Sequence, residues 1–424
     1  MTAVRVRPGP VSGTVAAPPS KSYTHRALVV GHLARRRFRI RRPLDSDDTR
    51  ATASAVGRLG TVVSRHPHVW VVNRPTGLTG AAAVRVNCHE SGTTFRFISA
   101  VAACSARTVR LEGSSRLAGR PIDELLDVFE ELGASCRHVR AGGLPVEVRG
   151  PIHAGTVTLD ASRSSQFVSA LLLTLPTLDA DSRVTLTGDL VSQPYVEATL
   201  AILAHHGVHV ARRGRRFTIP GRQRFRGDGF TVPGDTSSAA YLWAAALVGG
   251  GKVRVKGIPS SWPQADAAVL TLLESNGGAV TRSSDGATVA AGPRTPFRVD
   301  LTQAPDLYPL AGVLAATTPG TSQVVGAAHI ALKESDRKAE TAQLARRLGA
   351  KVSITDHGLV ITGTSRPRSL DLPRLRDHRL VMSAAVAALA GSRTSVIGMK
   401  DAVRKSFPGF WDALTGLSEE GDRP

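Results

Sequence analysis

Pro18-Pro19-Ser20-Lys21-Ser22 separates a β-rich stretch around Val15 from Thr24–Ala34, a run of small apolar residues that reads as a helix. The same order of strand, polar clasp and helix returns five more times. The later clasps are His89-Glu90-Ser91-Gly92-Thr93, Ala161-Ser162-Arg163-Ser164-Ser165-Gln166, Pro233-Gly234-Asp235-Thr236-Ser237-Ser238, Gln303-Ala304-Pro305-Asp306 and Arg376-Asp377-His378-Arg379. From Ser20 through Glu90, Ser162, Asp235, Ala304 and Asp377 the intervals are 70, 72, 73, 69 and 73 residues. Spacing this regular signals an internal repeat. Each clasp offers Ser, Thr or Asp where a helix N-cap belongs. The free backbone N–H groups and positive dipole end there make an anion site, and several together suit a polyanion.

Working outward, Val84-Arg85-Val86, Thr156–Leu159, Phe230-Thr231-Val232 and Phe297-Arg298-Val299 read as strands running into their clasps. Helices are expected at Thr94–Ala103, Phe167–Leu175, Ala239–Val248, Leu307–Ala316 and Leu380–Ala390. Second helices are expected at Pro121–Leu132, Tyr195–His206, Ala265–Asn276 and Glu334–Leu348, where apolar residues recur at three- and four-residue spacing. Six α/β units of about 70 residues imply two lobes of three. Only Ser418–Pro424 reads as loose.

The bulk numbers narrow the class. A chain of 424 residues exceeds what one core usually supports, so two domains are expected. Lys and Arg number 54 against 34 acidic residues, a net charge of +20, which fits acidic small molecules, nucleic acid or an anionic surface. Aromatic content of 4% argues against base stacking. Cys88, Cys104 and Cys136 are odd in number and unpaired in spacing, so neither a disulfide framework nor a thiolate metal site is expected. The N-terminus lacks the apolar run of a signal peptide, and no apolar run reaches the ~20 residues that span a bilayer. A cytoplasmic monomer without nucleic-acid or membrane partners is expected.

Some residues carry chemistry. Ser22 and Arg26 lie four apart, hence on one helix face, with Lys21 at the tip. Ser164-Ser165-Gln166 is a hydrogen-bonding cradle at another helix start, and Arg120-Pro121 precedes a third. Lys333 and Arg337 share a face beside Glu334, an arrangement suited to general acid/base work. Asp306 reads as either a cap or a base. No GxxxxGK[ST], GxGxxG after a strand, HExxH or GxSxG occurs, which disfavours nucleotide hydrolysis, zinc and esterase chemistry.

Taken in order, these segments resemble the EPSP synthase family, the 3-phosphoshikimate 1-carboxyvinyltransferases of the shikimate pathway to chorismate and aromatic amino acids. The resemblance runs from Pro18–Ala27 through Leu44–Thr49, Ser91–Thr94, Arg120–Ile122, Ser164–Phe167, Pro194-Tyr195, Gly234–Ala239, Lys333–Arg337 and Asp377–Arg379 to Lys405–Pro408. It implies an α/β fold, a two-domain inside-out α/β barrel of six βαβαββ-type repeats. Residues 1–20 with 233–424 would form one domain and 21–232 the other, closing over the substrates. It also implies transfer of the enolpyruvyl group of phosphoenolpyruvate to the 5-hydroxyl of shikimate 3-phosphate, with release of phosphate and no metal or organic cofactor. By resemblance, Lys21, Ser22, Arg26, Ser164, Ser165, Gln166, Ser192, Asp306, His329 and Lys333 would bind shikimate 3-phosphate. Lys21, Gly92, Arg120, Gln166, Arg337, Arg379 and Lys405 would bind phosphoenolpyruvate. Asp306 would act as base, and Glu334 assisted by Lys21 as proton carrier.

Two positions depart from the family. Glu90 and His329 stand where Asn is common, and an unpaired Glu90 would repel an anion. A paralogous transferase using a different cyclic alcohol is therefore the nearest alternative. The UDP-N-acetylglucosamine enzyme fits less well, since Lys21 is followed by Ser22 rather than Asn and the Arg116–Arg120 loop holds no Cys. An RNA-terminal phosphate cyclase would consume nucleotide. A basic nucleic-acid binder would show steep salt dependence.

Overall fold

The structure, a computed structural model, describes residues 3–73, 83–140, 143–326, 330–331 and 335–421. The chain divides into two compact units, Met1–Pro18 with Pro233–Pro424, and Pro19–Val232. Each is built from sheets surrounding buried helices.

In the Pro19–Val232 unit the helices Lys21–Leu33, Gly92–Ala103 and Ser165–Thr174 pack against one another. Ser20, Ser91 and Ser164 cap them, each accepting a backbone N–H two or three residues on. Each such cap contributes about 1 kcal/mol. The helices start two or three residues before the expected positions because the clasp itself forms the first turn. Ser165–Thr174 is buried on nearly every side, as its small and aliphatic residues require of a helix with no polar face. Truncating the fully buried Leu171 to Ala would cost about 2–5 kcal/mol.

Three four-stranded sheets surround these helices. Val84–Asn87 pairs parallel to Val109–Glu112, which runs antiparallel to Val146–Arg149, itself antiparallel to Ser135–His138. Thr156–Asp160, Ser182–Thr187, Arg216–Ile219 and Ala211–Arg213 repeat that order. In the first sheet the parallel strand beside Phe38–Arg41 is Gly229–Thr231.

The other unit repeats the plan. The helices Thr236–Gly249, Tyr308–Ala316 and His378–Ala388 pack together, and Asp235 and Asp377 cap the first and third. The second has no side-chain cap; it follows the single turn Pro305–Leu307, which carries Asp306. A Cβ at Gly312 would lie 2.1 Å from Thr341 Cγ2, so that helix and Arg337–Arg347 meet where no larger residue fits. Strand Ser12–Ala16 pairs parallel to Lys252–Lys256 in one four-stranded sheet, and Arg298–Asp300 opens a second.

Ser12–Ala16 and Gly229–Thr231 do not share a unit with the helices that follow them; each completes a sheet of the unit it leaves. Two expectations are corrected. The sixth repeat has three strands, in the order Val4–Val6, Ser395–Ile397, Asp371–Leu372. The sheets surround helices as an inside-out barrel requires, but among the described residues none closes on itself. Ser418 belongs to the helix Phe410–Gly421, with its hydroxyl bonded to the Leu414 carbonyl. No helix among the described residues is long and apolar enough to cross a membrane.

Candidate active site

Most of the described candidate residues sit at or beside helix starts. In the Pro19–Val232 unit, Lys21 occupies the first helical position and its Nζ lies 3.0 Å from Asp48 Oδ2. Arg26 is 2% exposed, and every oxygen it bonds is neutral. Its Nη1 donates to the Ser22 carbonyl and hydroxyl (2.9 and 3.2 Å), Nε to Thr199 Oγ1 (2.8 Å), and Nη2 to the Tyr195 carbonyl (2.7 Å) and Ser169 Oγ (3.3 Å). Burial pushes its pKa down to about 10, yet it stays a cation at neutral pH. Arg26 thus ties Ser22 to the helix Gln193–His205, whose preceding residue Ser192 takes a left-handed conformation at φ +53°.

Gly92 is where two more guanidiniums converge. A Cβ there would lie 2.5 Å from Arg96 Nη1 and 2.6 Å from Arg120 Nη1. Arg96 Nη1 also donates to Gln166 Oε1 at 3.2 Å, and Nη2 to the Pro121 carbonyl. Gln166 Nε2 donates to Thr93 Oγ1 at 3.0 Å. The arrangement brings Gly92, Arg120 and Gln166 together through Arg96, a residue that reading the sequence missed. Its signal was available: Arg96 lies four residues after Gly92, the spacing that links Ser22 to Arg26. Ser164 caps its helix by accepting the Gln166 N–H, and Ser165 is buried beside it. Glu90 approaches Arg116 at 3.7 Å, so its charge has a cationic neighbour.

Beneath these groups runs a chain of buried hydroxyls. His25 Nδ1 lies 2.7 Å from Thr52 Oγ1, which lies 2.6 Å from Thr94 Oγ1, which donates to Ser91 Oγ at 2.7 Å. Burial pushes the imidazole down to about 3, so His25 is neutral.

The other unit gathers charge of both signs. The Asp306 carboxylate is held at both oxygens: Arg337 Nη1 donates to Oδ1 at 2.7 Å and Arg379 Nη2 to Oδ2 at 2.9 Å. Arg337 Nε donates to Asp377 Oδ2 at 2.9 Å, and the Arg379 N–H donates to Asp377 Oδ1 at 2.8 Å. Arg379 Nη1 reaches the Ser237 carbonyl at 3.2 Å. Arg337 and Arg379 are 1% and 3% exposed and Asp377 is 4%, so this is a buried ion network. Nearby, Asp266 is fully buried, and its Oδ2 accepts the Ser237 hydroxyl. Burial, reinforced by the Asp306 charge, pushes this carboxyl up to about 7. Lys405 is half-buried at the end of the turn Lys400–Lys405. His329, Lys333 and Glu334 lie outside the described residues.

A chain of sheet-and-helix repeats whose capped helix starts collect arginines, a lysine and paired carboxylates belongs to the class of α/β enzymes that hold small polyanions and move protons among them. The profile of the family described as EPSP synthase (3-phosphoshikimate 1-carboxyvinyltransferase) matches residues 6–414. The chain belongs to the EPSP synthase family. The 3-phosphoshikimate 1-carboxyvinyltransferase of Methanoculleus marisnigri is 38% identical over 412 residues, covering 96% of this chain and 97% of that protein. The protein of the same name from Methanocorpusculum labreanum is 36% identical over 401 residues, covering 94% of each. The solved EPSP synthase of Acinetobacter baumannii superposes with a TM-score of 0.81 at 23% identity, covering 99% of this chain and 98% of that one, and so shares its fold.

Proposed function

We propose that this protein transfers the enolpyruvyl group of phosphoenolpyruvate to the 5-hydroxyl of shikimate 3-phosphate, releasing inorganic phosphate. Family membership over nearly the whole chain is the observation that carries this reading. The 5-hydroxyl loses its proton to Asp306 as its oxygen attacks C2, while C3 of phosphoenolpyruvate gains a proton from Glu334, assisted by Lys21. The resulting tetrahedral ketal phosphate returns the C3 proton and expels phosphate with C–O cleavage, so one acid/base pair serves both halves.

Lys21, Ser22, Arg26, Ser164, Ser165, Gln166 and Ser192 hold shikimate 3-phosphate in this reading, joined by His329 and Lys333. Gly92, Arg120, Gln166, Arg337, Arg379 and Lys405 receive phosphoenolpyruvate together with Lys21. Support comes from Arg26, whose bonded neighbours are all neutral, so that no carboxylate balances its positive charge beside Ser22. Arg116 beside Glu90 offsets the carboxylate that would otherwise repel substrate. We read the enzyme as a cytoplasmic monomer, which gel filtration checks.

An acceptor screen tests the reaction. Phosphate release from phosphoenolpyruvate is expected only with shikimate 3-phosphate, and Asp306→Asn is expected to lower turnover by about 10²–10⁴ while substrates still bind. Release without acceptor, or turnover with another cyclic alcohol in preference, would overturn the assignment.

A further inference from the structure

Asp266 has no place in the mechanism above, yet it is fully buried beside it. It lies within the turn Ala265–Ala268, where its backbone leaves helical geometry at φ −95° and ψ 20°. Its Oδ1 is buried with no hydrogen-bond partner among the described residues. An unsatisfied carboxyl oxygen in the interior is costly. A clamp of purely structural purpose would be made more cheaply by a hydroxyl or an amide.

Its connections lead to the candidate base. Two residues earlier, Gln264 Nε2 donates to the Gly234 carbonyl at 2.8 Å, and Gln264 Oε1 accepts the Thr236 N–H at 3.5 Å. Asp266 Oδ2 takes the Ser237 hydroxyl. From its far side the same clasp is packed against backbone: the Gly234 N–H donates to the Gly257 carbonyl at 2.7 Å, and a Cβ on Gly234 would lie 2.4 Å from that oxygen. The Ser237 carbonyl then accepts Arg379 Nη1, and Arg379 Nη2 holds Asp306.

We infer that Asp266 is a positioning residue: with Gln264 it clamps the clasp Gly234–Ser237, so that the Ser237 carbonyl fixes Arg379 and Arg379 fixes the Asp306 carboxylate in one orientation. The inference rests on the reading of Asp306 as the base. The charged groups acting on Asp266 are Asp306, Arg379 and Asp235, and burial with the Asp306 charge favours the neutral acid. A neutral Asp266 anchors Ser237 without competing with Asp306 for Arg379.

The test compares Asp266→Ala, Asp266→Asn, Ser237→Ala and Asp306→Asn in the full-length protein, with kcat and both KM values measured beside Tm. Asp266→Ala is expected to lower kcat about tenfold with KM values within about threefold, because a misaimed base impairs the chemical step more than binding. Asp266→Asn keeps an acceptor for Ser237 and is expected to restore most of that loss. Ser237→Ala removes the anchored hydroxyl but leaves the carbonyl, and its kcat is expected to fall similarly at near-normal Tm, which keeps the test decisive if Asp266→Ala fails to fold. Wild-type kcat in Ser237→Ala and in folded Asp266→Ala, with Asp306→Asn inactive, overturns the positioning role alone. Full turnover in Asp306→Asn overturns the base assignment and this inference with it.

Discussion

The two units treat the arginines around their candidate residues in opposite ways. In Pro19–Val232, Arg26 is surrounded by carbonyls and hydroxyls, and Arg96 bonds a side-chain amide and a carbonyl. In the other unit, Arg337 and Arg379 are bound to Asp306 and Asp377. Lys21 in the first unit, half-buried rather than buried, does pair with a carboxylate, that of Asp48. A cation solvated by neutral dipoles keeps its full charge for a ligand, whereas one bound to carboxylates is already balanced. The first arrangement suits receiving phosphate, and the second suits holding a proton acceptor in place.

The sharpest way to break this contrast is to remove one arginine from each side. Arg337→Met removes the cation that the buried Asp377 carboxylate shares with Asp306, and is expected to cost about 3–5 kcal/mol in urea denaturation. Arg26→Met leaves only neutral oxygens, and Thr199 Oγ1 already bonds Ser169 Oγ and the Tyr195 carbonyl. Its expected cost is about 1–3 kcal/mol. Equal losses would erase the distinction.

A middle-sized effect lies in the pH dependence, where the two units have opposite sign. His25 has a folded pKa below its unfolded value, so its stabilisation is present above about 6.5 and is lost as pH falls toward 3. Asp266 has a folded pKa above its unfolded value, so its stabilisation is present below about 3.8 and is lost as pH rises through 7. His25→Gln is expected to flatten the stability curve below pH 6.5 by about 1.4 kcal/mol per pH unit, read from denaturation midpoints. An unchanged acid slope would show that His25 is protonated in the fold.

The smallest effect belongs to the surface. Glu90 and Arg116 are 44% and 38% exposed, so Glu90→Gln is expected to change stability by less than about 0.5 kcal/mol and to leave the phosphoenolpyruvate KM unchanged. A sharp fall in that KM would show that Arg116 does not compensate Glu90.

Helix starts were legible in the sequence because capping is local: Ser20, Ser91, Ser164, Asp235 and Asp377 all sit within the quoted clasps and cap the helices that follow. The helix Asp47–Arg58 escaped, although Ser46 and Thr49 form a reciprocal cap at its start. The exchange of Ser12–Ala16 and Gly229–Thr231 was not legible from the residues, since nothing in an alternating strand names its partner. Arg96 hid inside an apolar helix. Asp48 was quoted within a segment without being read as the partner of Lys21, because pairing across 27 residues is set by tertiary packing. Asp266 had no local signal at all, since its meaning comes from Ser237, 29 residues earlier.

The exchanged strands also set a timetable for synthesis. Ser12 Oγ accepts the N–H of Lys252, 240 residues later. At roughly 5–20 residues per second on the ribosome, Ser12–Ala16 must wait tens of seconds for its neighbour to emerge. Through that interval the nascent chain carries an orphan strand, a natural client for a holding chaperone.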